Sequence, residues 1–165
     1  MKKKKQIRVF IMDVDGTMTD GKIYIGQNGE VCKAFNVKDG LGIHELLPGK
    51  GILPVILTGR ESQIVVNRAK ELGVRHILQG VENKSAVLEN LLNELDITFD
   101  EAAYIGDDLA DLDVMQCCRL RGCPADAVPE IVGICEYISP HRGGEGAVRD
   151  FIEWVIQQQK GDEGS

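Results

Sequence analysis

Apolar and polar residues alternate along this chain in short blocks, and the blocks predict strands and helices in turn. Runs of apolar, β-branched and aromatic residues have the length of buried parallel strands, and the first of them ends at an aspartate. These strand-like runs are residues 7–12, 53–57, 77–78, 102–105, 119–122 and 137–138. Apolar residues recur at helical spacing over residues 63–72, 87–95, 109–117 and 148–155.

This repetition of strand and helix predicts the fold class. We expect an α/β fold with a doubly wound, Rossmann-like parallel sheet that carries helices on both faces. Residues 22–25 and 30–35 flank the turn sequence Gly26-Gln27-Asn28-Gly29, which predicts a β-hairpin after the first strand. We assign residues 1–6 to a basic tail, residues 7–158 to a single domain and residues 159–165 to a polar tail.

Composition and charge narrow the class of protein. The chain has 165 residues, of which 43% are apolar and 27% charged, as expected for one globular domain. The net charge is −7, and an acidic body would repel a nucleic-acid backbone, so we expect no nucleic-acid partner. No apolar run approaches the roughly 18 residues of a membrane span, and no signal cleavage site follows the basic tail, so we expect a cytoplasmic protein without a membrane partner. Five irregularly spaced cysteines indicate reduced thiols.

Polar side chains follow the predicted strands at the points where the strands end. Asp13 and Asp15 follow the first strand, and Thr58-Gly59-Arg60 follows the second. Lys84 opens the helix after the third strand, and an acidic stretch over residues 107–111 follows the fourth. Because ligands of open α/β sheets bind beyond the carboxyl ends of the strands, we expect these side chains to form one site.

The carboxylates of this expected site would repel one another unless a cation neutralised them. Mg²⁺ is suitable because it prefers hard oxygen ligands and keeps positions for water or phosphate oxygens. The helix dipole opposes Lys84 by roughly 0.3–1 kcal/mol, and an anion beside it would reverse that sign. Thr58, with the Gly59 and Arg60 amides, adds donors for the same anion. The sequence therefore predicts a magnesium and phosphate site.

Each of these features also has a plainer structural explanation when it is taken alone. Residues 13–17 could form an ordinary turn, Thr58 could cap a helix, and Lys84 could be a surface lysine. The aspartates of residues 107–111 could solvate the first turn of a helix. Their occurrence together, in this order at successive strand ends, favours phosphate chemistry over separate structural roles.

In order and spacing, these residues resemble the four sequence signatures of the haloacid dehalogenase superfamily. The matching segments are Asp13-Val14-Asp15-Gly16-Thr17, Thr58-Gly59-Arg60, Lys84 and Gly106-Asp107-Asp108-Leu109-Ala110-Asp111. Further segments resemble the 3-deoxy-D-manno-octulosonate 8-phosphate (KDO 8-phosphate) phosphatase family. Those segments are residues 35–43, 79–80, 103–108 and 143–149.

The resemblance implies a Mg²⁺-dependent phosphomonoesterase that hydrolyses KDO 8-phosphate through an aspartyl-phosphate intermediate. It implies that Asp13 is the nucleophile and that Asp15 protonates the leaving oxygen and then accepts a proton from water. Thr58 and Lys84 would hold phosphoryl oxygens. The implied metal ligands are the side chains of Asp13 and Asp107 and the backbone carbonyl of Asp15, and the implied supporting residues are Asp108 and Asp111.

The same resemblance implies how the protein assembles and binds its substrate. The chain leaves no room for a cap domain between its motifs, and capless relatives form tetramers in which a neighbouring subunit covers each site. We therefore expect a homotetramer. Arg60 and Arg68, the latter from the same or an adjacent subunit, would bind the sugar-acid carboxylate, and Asn36 is a candidate sugar contact. Whether residues 142–149 fold over the site or pack elsewhere is left open.

Three alternative functions remain at this point. A phosphatase of a nine-carbon nonulosonate 9-phosphate would share the motifs, although such relatives tend to depart from arginine at the position of Arg60. A non-catalytic phosphoacceptor like a response-regulator receiver also combines Asp, Thr, Lys and Mg²⁺, but its acceptor follows a middle strand. A regulatory partner of a sugar nucleotidyltransferase would carry degenerate motifs. Mg²⁺-dependent phosphate release from an aryl phosphate separates an enzyme from the last two.

Overall fold

A six-stranded parallel sheet lies at the centre of the computed structural model, which describes residues 4–164. The strands in chain order are β1 (Val9–Met12), β2 (Tyr24–Gly26), β3 (Gly29–Cys32), β4 (Leu53–Leu57), β5 (His76–Leu78), β6 (Ala102–Ile105), β7 (Leu120–Cys123) and β8 (Tyr137–Ile138). The helices are α1 (Val37–Leu41), α2 (Gln63–Leu72), α3 (Lys84–Glu94), α4 (Leu112–Cys117), α5 (Pro129–Val132) and α6 (Ala147–Glu163).

The order of strands across this sheet is β5-β4-β1-β6-β7-β8, and every adjacent pair is parallel. Val9 at the start of β1 is in register with Leu53 on one side and with Ala102 on the other. The chain therefore winds outwards in both directions from β1, which confirms the predicted doubly wound α/β fold. The carboxyl ends of β1, β4 and β6 meet at one edge, where such sheets bind ligands.

Side chains of β1 alternate between two apolar layers. Phe10 and Met12 pack with residues of α2 and α6 on one face, while Val9 and Ile11 pack with residues of α3 and α4 on the other. All four side chains are fully buried. Because both faces of the strand are covered, its sequence is continuously apolar rather than alternating.

The start of α3 was predicted more closely than the start of α4. α3 begins at Lys84, as predicted, and the side chain of Asn83 caps it by accepting a hydrogen bond from the Ala86 N–H at 3.0 Å. The helix predicted over residues 109–117 begins as one 3₁₀ turn and becomes α4 only at Leu112.

The terminal helix α6 also extends beyond the predicted domain boundary. It ends at Glu163, so residues 159–163 of the predicted polar tail are helical. The Gln159 side chain accepts a hydrogen bond from the Ile7 N–H at 2.8 Å and joins this helix to the chain just before β1. No helix within the described residues has both the length and the apolar composition that a membrane span needs.

The β2-β3 hairpin is separate from the main sheet. Its strands are antiparallel and shorter than predicted, and Ile25 and Val31 expose 66% and 64% of their surface. Between Thr17 and Thr58 there are only this hairpin, α1, two short helical turns and β4, and between Arg60 and Lys84 there are only α2 and β5; the structure describes both segments throughout. The prediction that no cap domain is present is therefore confirmed. All five cysteines are free thiols, also as predicted.

Candidate active site

The loop after β1 brings the first two aspartates to the edge of the sheet. It is a wide turn over Val14–Met18 that contains Gly16 with φ of +89°. A Cβ atom at this glycine would collide with the carboxylate of Asp107, so only glycine lets the loops after β1 and β6 come this close. Thr17 Oγ1 donates a hydrogen bond to Asp107 Oδ1 at 2.9 Å and joins the two loops.

Three carboxylates cluster where these loops meet. One oxygen from each of Asp13, Asp107 and Asp111 lies within 4.8 Å of the others. Burial, followed by the charge of Asp111, raises the pKa of Asp13 from 3.8 to about 6. Burial, followed by the charge of Asp13, raises the pKa of Asp107 from 3.8 to about 8. The cluster therefore favours a proton or a cation, and hard carboxylate oxygens suit Mg²⁺.

Lys84 supplies positive charge to the same cluster. Its side chain is 4% exposed, and Nζ lies 3.0 Å from Asp13 Oδ1 and 2.7 Å from Asp111 Oδ1. Burial alone would lower the pKa of this lysine, but the charges of Asp13 and Asp111 outweigh burial and raise it, so Lys84 is protonated. The unfavourable position of Lys84 at a helix start, noted in the sequence, is thus offset by two aspartates within the protein itself.

Asp111 is occupied by four donors. Lys84 Nζ and the Tyr104 hydroxyl both donate to Oδ1 at 2.7 Å, and the N–H groups of Asp107 and Asp108 donate to Oδ2 at 3.2 and 3.4 Å. A carboxylate offers about four lone-pair directions, so Asp111 has none left for a metal ion. Of the three clustered aspartates, Asp13 and Asp107 therefore keep oxygens that a metal ion could use, whereas Asp111 contacts Lys84, Tyr104 and the backbone of its own loop.

The Thr58-Gly59-Arg60 loop lies at the end of β4 beside the cluster. Thr58 is 2% exposed, and it does not cap α2, because the cap residue of that helix is Ser62. The structural explanation of Thr58 as a helix cap is therefore wrong. Arg60 is half exposed, with Nε 3.8 Å from Asp15 Oδ2 and Nη2 3.6 Å from Glu30 Oε2, so it lies at the entrance of the site.

Glu30 and Lys33, at the second strand of the hairpin, reach the site, and neither was predicted from the sequence. Lys33 Nζ donates to Asp15 Oδ1 at 2.6 Å and lies 2.9 Å from Glu30 Oε2. Burial alone would lower the pKa of Lys33, but hydrogen bonds to the two carboxylates raise it. The only available signal was a lysine within a strand-like run, and that signal is common in solvated hairpins.

Three other predicted residues have structural partners within the chain. Asn36 caps α1 by accepting a hydrogen bond from the Lys38 N–H at 2.8 Å. Arg68 donates to Glu71 Oε2 at 3.1 Å and lies over the Phe35 ring, 5.7 Å from its centroid. The exposed Asp108 accepts a hydrogen bond from the Leu109 N–H at 2.7 Å and begins the turn that leads into α4.

Residues 142–149 pack against the loop after β1. The Gly144 N–H donates to the Thr17 carbonyl at 3.2 Å, and the Gly143 N–H donates to Asp126 Oδ1 at 3.0 Å. A Cβ atom at Gly143 would collide with the backbone carbonyl of Gly16. This segment therefore packs against the loop after β1 by direct backbone contact, which is one of the two arrangements that the sequence left open.

A doubly wound sheet with paired aspartates after β1 and β6, and a buried lysine at the start of α3, defines a haloacid dehalogenase-like hydrolase. The profile of that family matches residues 73–152. The 3-deoxy-D-manno-octulosonate 8-phosphate phosphatase of Escherichia coli strain B / BL21-DE3 is 42% identical over 159 residues, which are 96% of this chain and 84% of that protein. The chain belongs to the KDO 8-phosphate phosphatase family, as its motifs predicted.

Solved structures agree with this family. The crystal structure of the phosphatase from Yersinia pestis has a TM-score of 0.89 and 42% identity, covering 96% of this chain and 85% of that one. The phosphatase from Moraxella catarrhalis, in complex with a magnesium ion, a phosphate ion and a KDO molecule, has a TM-score of 0.90 and 39% identity. That match covers 99% of this chain and 93% of the Moraxella chain.

Proposed function

We propose that this protein is a Mg²⁺-dependent phosphatase that hydrolyses KDO 8-phosphate to KDO and inorganic phosphate. The single observation that carries the proposal is a cluster of charged groups. The carboxylates of Asp13 and Asp107 lie close together, and the buried Lys84 ammonium contacts Asp13. Two acidic groups that repel each other are suited to a divalent cation, and a buried lysine beside them is suited to an anion. The Moraxella relative holds magnesium, phosphate and KDO together, which supports this combination.

The side chains of Asp13 and Asp107, with the backbone carbonyl of Asp15, would hold the metal ion. Bound Mg²⁺ supplies positive charge that reduces the repulsion between a carboxylate nucleophile and a phosphate dianion. The raised pKa values of Asp13 and Asp107 support this assignment, because a cation allows both groups to ionise at neutral pH.

Two successive displacements at phosphorus account for the reaction. An Asp13 oxygen attacks phosphorus, the bond from phosphorus to the sugar oxygen breaks, and Asp15 gives its proton to that oxygen. A water then loses a proton to Asp15 and attacks the aspartyl-phosphate, which releases phosphate and restores Asp13. Lys84 and Thr58, with the Gly59 and Arg60 amides, hold phosphoryl oxygens, so they neutralise charge that spreads over them in the transition state.

The part of the site that selects the sugar acid lies at its entrance. Arg60 is half exposed beside Asp15, and a guanidinium matches a carboxylate with two parallel hydrogen bonds. Arg68 and Asn36 would contact the sugar acid from the same subunit or from a neighbouring one, and each also has a partner within its own chain. The alternative substrate is a nonulosonate 9-phosphate, and Arg60 favours the eight-carbon acid.

A homotetramer would complete this entrance. Exposed apolar side chains gather on the hairpin, where Ile23, Tyr24, Ile25 and Val31 are 39–66% exposed. Apolar surface of this kind is typical of a contact between subunits. Sedimentation equilibrium should give about four times the chain mass of 18.1 kDa, and a fully active monomer would contradict the assembly.

The function is tested by measuring phosphate release from KDO 8-phosphate and from nine-carbon acid phosphates at equal concentration. We expect Mg²⁺-dependent turnover that a chelator stops, with the highest kcat/KM for KDO 8-phosphate. The Asp13→Asn variant should have no turnover. Equal or better hydrolysis of a nine-carbon phosphate would assign the alternative substrate, and no release from any ester, including an aryl phosphate, would refute the phosphatase.

A further inference from the structure

The β2-β3 hairpin places a buried lysine against Asp15, the proposed acid and base. The Lys33 side chain is 1% exposed, and its Nζ donates to Asp15 Oδ1 at 2.6 Å. Lys22 precedes the same hairpin but is exposed to solvent. Fixing a long lysine side chain in one position costs conformational entropy, so its burial at this contact sets Lys33 apart from a solvated lysine.

Lys33 fixes one oxygen of Asp15 and leaves the other available. Among the described residues, Lys33 donates the only side-chain hydrogen bond that the Asp15 carboxylate accepts. The second oxygen, Oδ2, lies 3.8 Å from Arg60 Nε, which is beyond hydrogen-bond distance. The Asp15 side chain is 20% exposed, so Oδ2, which accepts no side-chain hydrogen bond from the described residues, can meet a substrate or a water.

A chain of contacts anchors Lys33 to the rest of the site. Nζ lies 2.9 Å from Glu30 Oε2, and Glu30 Oε1 accepts a hydrogen bond from Ser62 Oγ at 2.9 Å. The Ser62 N–H in turn donates to Gln79 Oε1 at 2.8 Å. Since Ser62 directly precedes α2, the hairpin is fastened to the segment that follows the phosphate-binding loop, and Lys33 keeps a fixed position relative to it.

We propose that Lys33 is a positioning residue that holds Asp15 Oδ1 and thereby turns Oδ2 toward the leaving oxygen and then toward the attacking water. The inference rests on the proposed function, because it requires Asp15 to act as acid and base. No bond to phosphorus forms at Lys33. A catalytic carboxylate needs its productive orientation in both displacements, so loss of Lys33 should slow both.

The first test compares Lys33→Met with the wild type, with Asp15→Asn and with the double variant. Lys33→Met should lower kcat on an alkyl phosphate about 10- to 100-fold, within the range that acid-base catalysis contributes, with little change in KM. Lys33→Arg, which keeps a cationic donor, should recover part of the loss. In the Asp15→Asn background, Lys33→Met should have no further effect, because its target is gone.

The second test uses an aryl phosphate with a good leaving group, which needs no proton to depart. Lys33→Met and Asp15→Asn should then form the aspartyl-phosphate quickly and hydrolyse it slowly. Rapid mixing should therefore record a burst of aryl alcohol close to one equivalent per site. General damage to the site slows the first displacement as well and gives no burst. Lys22→Met is the matched control and should behave as the wild type.

These outcomes separate the inference from the proposed function. If the wild type releases no phosphate, the proposed function fails. If the wild type is active, three results would overturn the role of Lys33 alone. The first is a kcat of Lys33→Met equal to that of Lys22→Met, and the second is the absence of a burst in Lys33→Met. The third is a double variant whose kcat is lower than that of Asp15→Asn. If Lys33→Met does not fold, Glu30→Gln takes its place, because it removes the charge that anchors Lys33. This variant must then give the burst of aryl alcohol, and absence of the burst overturns the proposal.

Discussion

Replacement of Lys84 by methionine tests how the buried charges are balanced. The ammonium lies 2.7–3.0 Å from two carboxylates with its side chain 4% exposed, so its loss breaks a buried pair. Removing one partner of a buried pair costs about 3–5 kcal/mol of stability. The loss should be smaller near pH 5 than at pH 8, because Asp13, with a pKa raised to about 6, can take up a proton at low pH.

Under the proposed function, the same variant also removes a charged contact with the phosphoryl group in the transition state. Loss of one oriented donor typically costs about 10²–10³ in kcat, so Lys84→Met should lose at least that factor on KDO 8-phosphate. Urea unfolding with a chelator present, at pH 5 and pH 8, measures the stability change, and steady-state phosphate release measures kcat. Unchanged stability at pH 8 would refute the charge balance, and unchanged kcat would refute the phosphoryl contact.

Three further substitutions test separate parts of the structure. Gly16→Ala should lower kcat about 100-fold or more in steady-state assays, because the methyl group displaces the Asp107 carboxylate, and near-normal turnover would contradict that packing. Burial raises the pKa of Asp39 from 3.8 to about 6, so the folded protein binds this proton more tightly than the unfolded chain and stability falls as pH rises from about 4 to 6. Asp39→Asn should remove up to about 3 kcal/mol of that fall in urea unfolding, whereas an unchanged pH profile would contradict the shift. Asn36→Ala should lower the free energy of unfolding by about 1 kcal/mol through the lost cap of α1. A fall in kcat/KM that corresponds to a larger free energy than this loss would instead indicate that Asn36 contacts the sugar.

The parts of the site that follow sheet strands were predictable from the sequence. A parallel sheet brings the ends of β1, β4 and β6 to one edge, so placing Asp13, Thr58 and Asp107 after apolar runs was enough to bring them together. The position of Lys84 between the third predicted strand and the apolar residues at helical spacing likewise placed it at the start of α3. The local sequence was sufficient for these residues, because each of them directly follows a strand or begins a helix, and that strand or helix fixes its position.

The contribution of the hairpin was not predictable, because two strands outside the sheet have no register with it. Where Lys33 and Glu30 point depends on the angle at which β2 and β3 return toward Ser62, and that angle is set by tertiary contacts. The extension of α6 past residue 158 was missed for a similar reason. Polar residues suggested a tail, whereas Gln159 is held by the Ile7 N–H.

The two glycines that close against the loop after β1 have a consequence for biosynthesis. Gly143 and Gly144 lie in the last quarter of the chain, yet they pack closely against backbone atoms of residues 16–20. During translation the amino-terminal strand leaves the ribosome long before these glycines exist. The loop after β1, which carries Asp13, therefore gains its final support among the last events of folding, and a nascent chain stalled before residue 143 should carry every motif aspartate while remaining inactive.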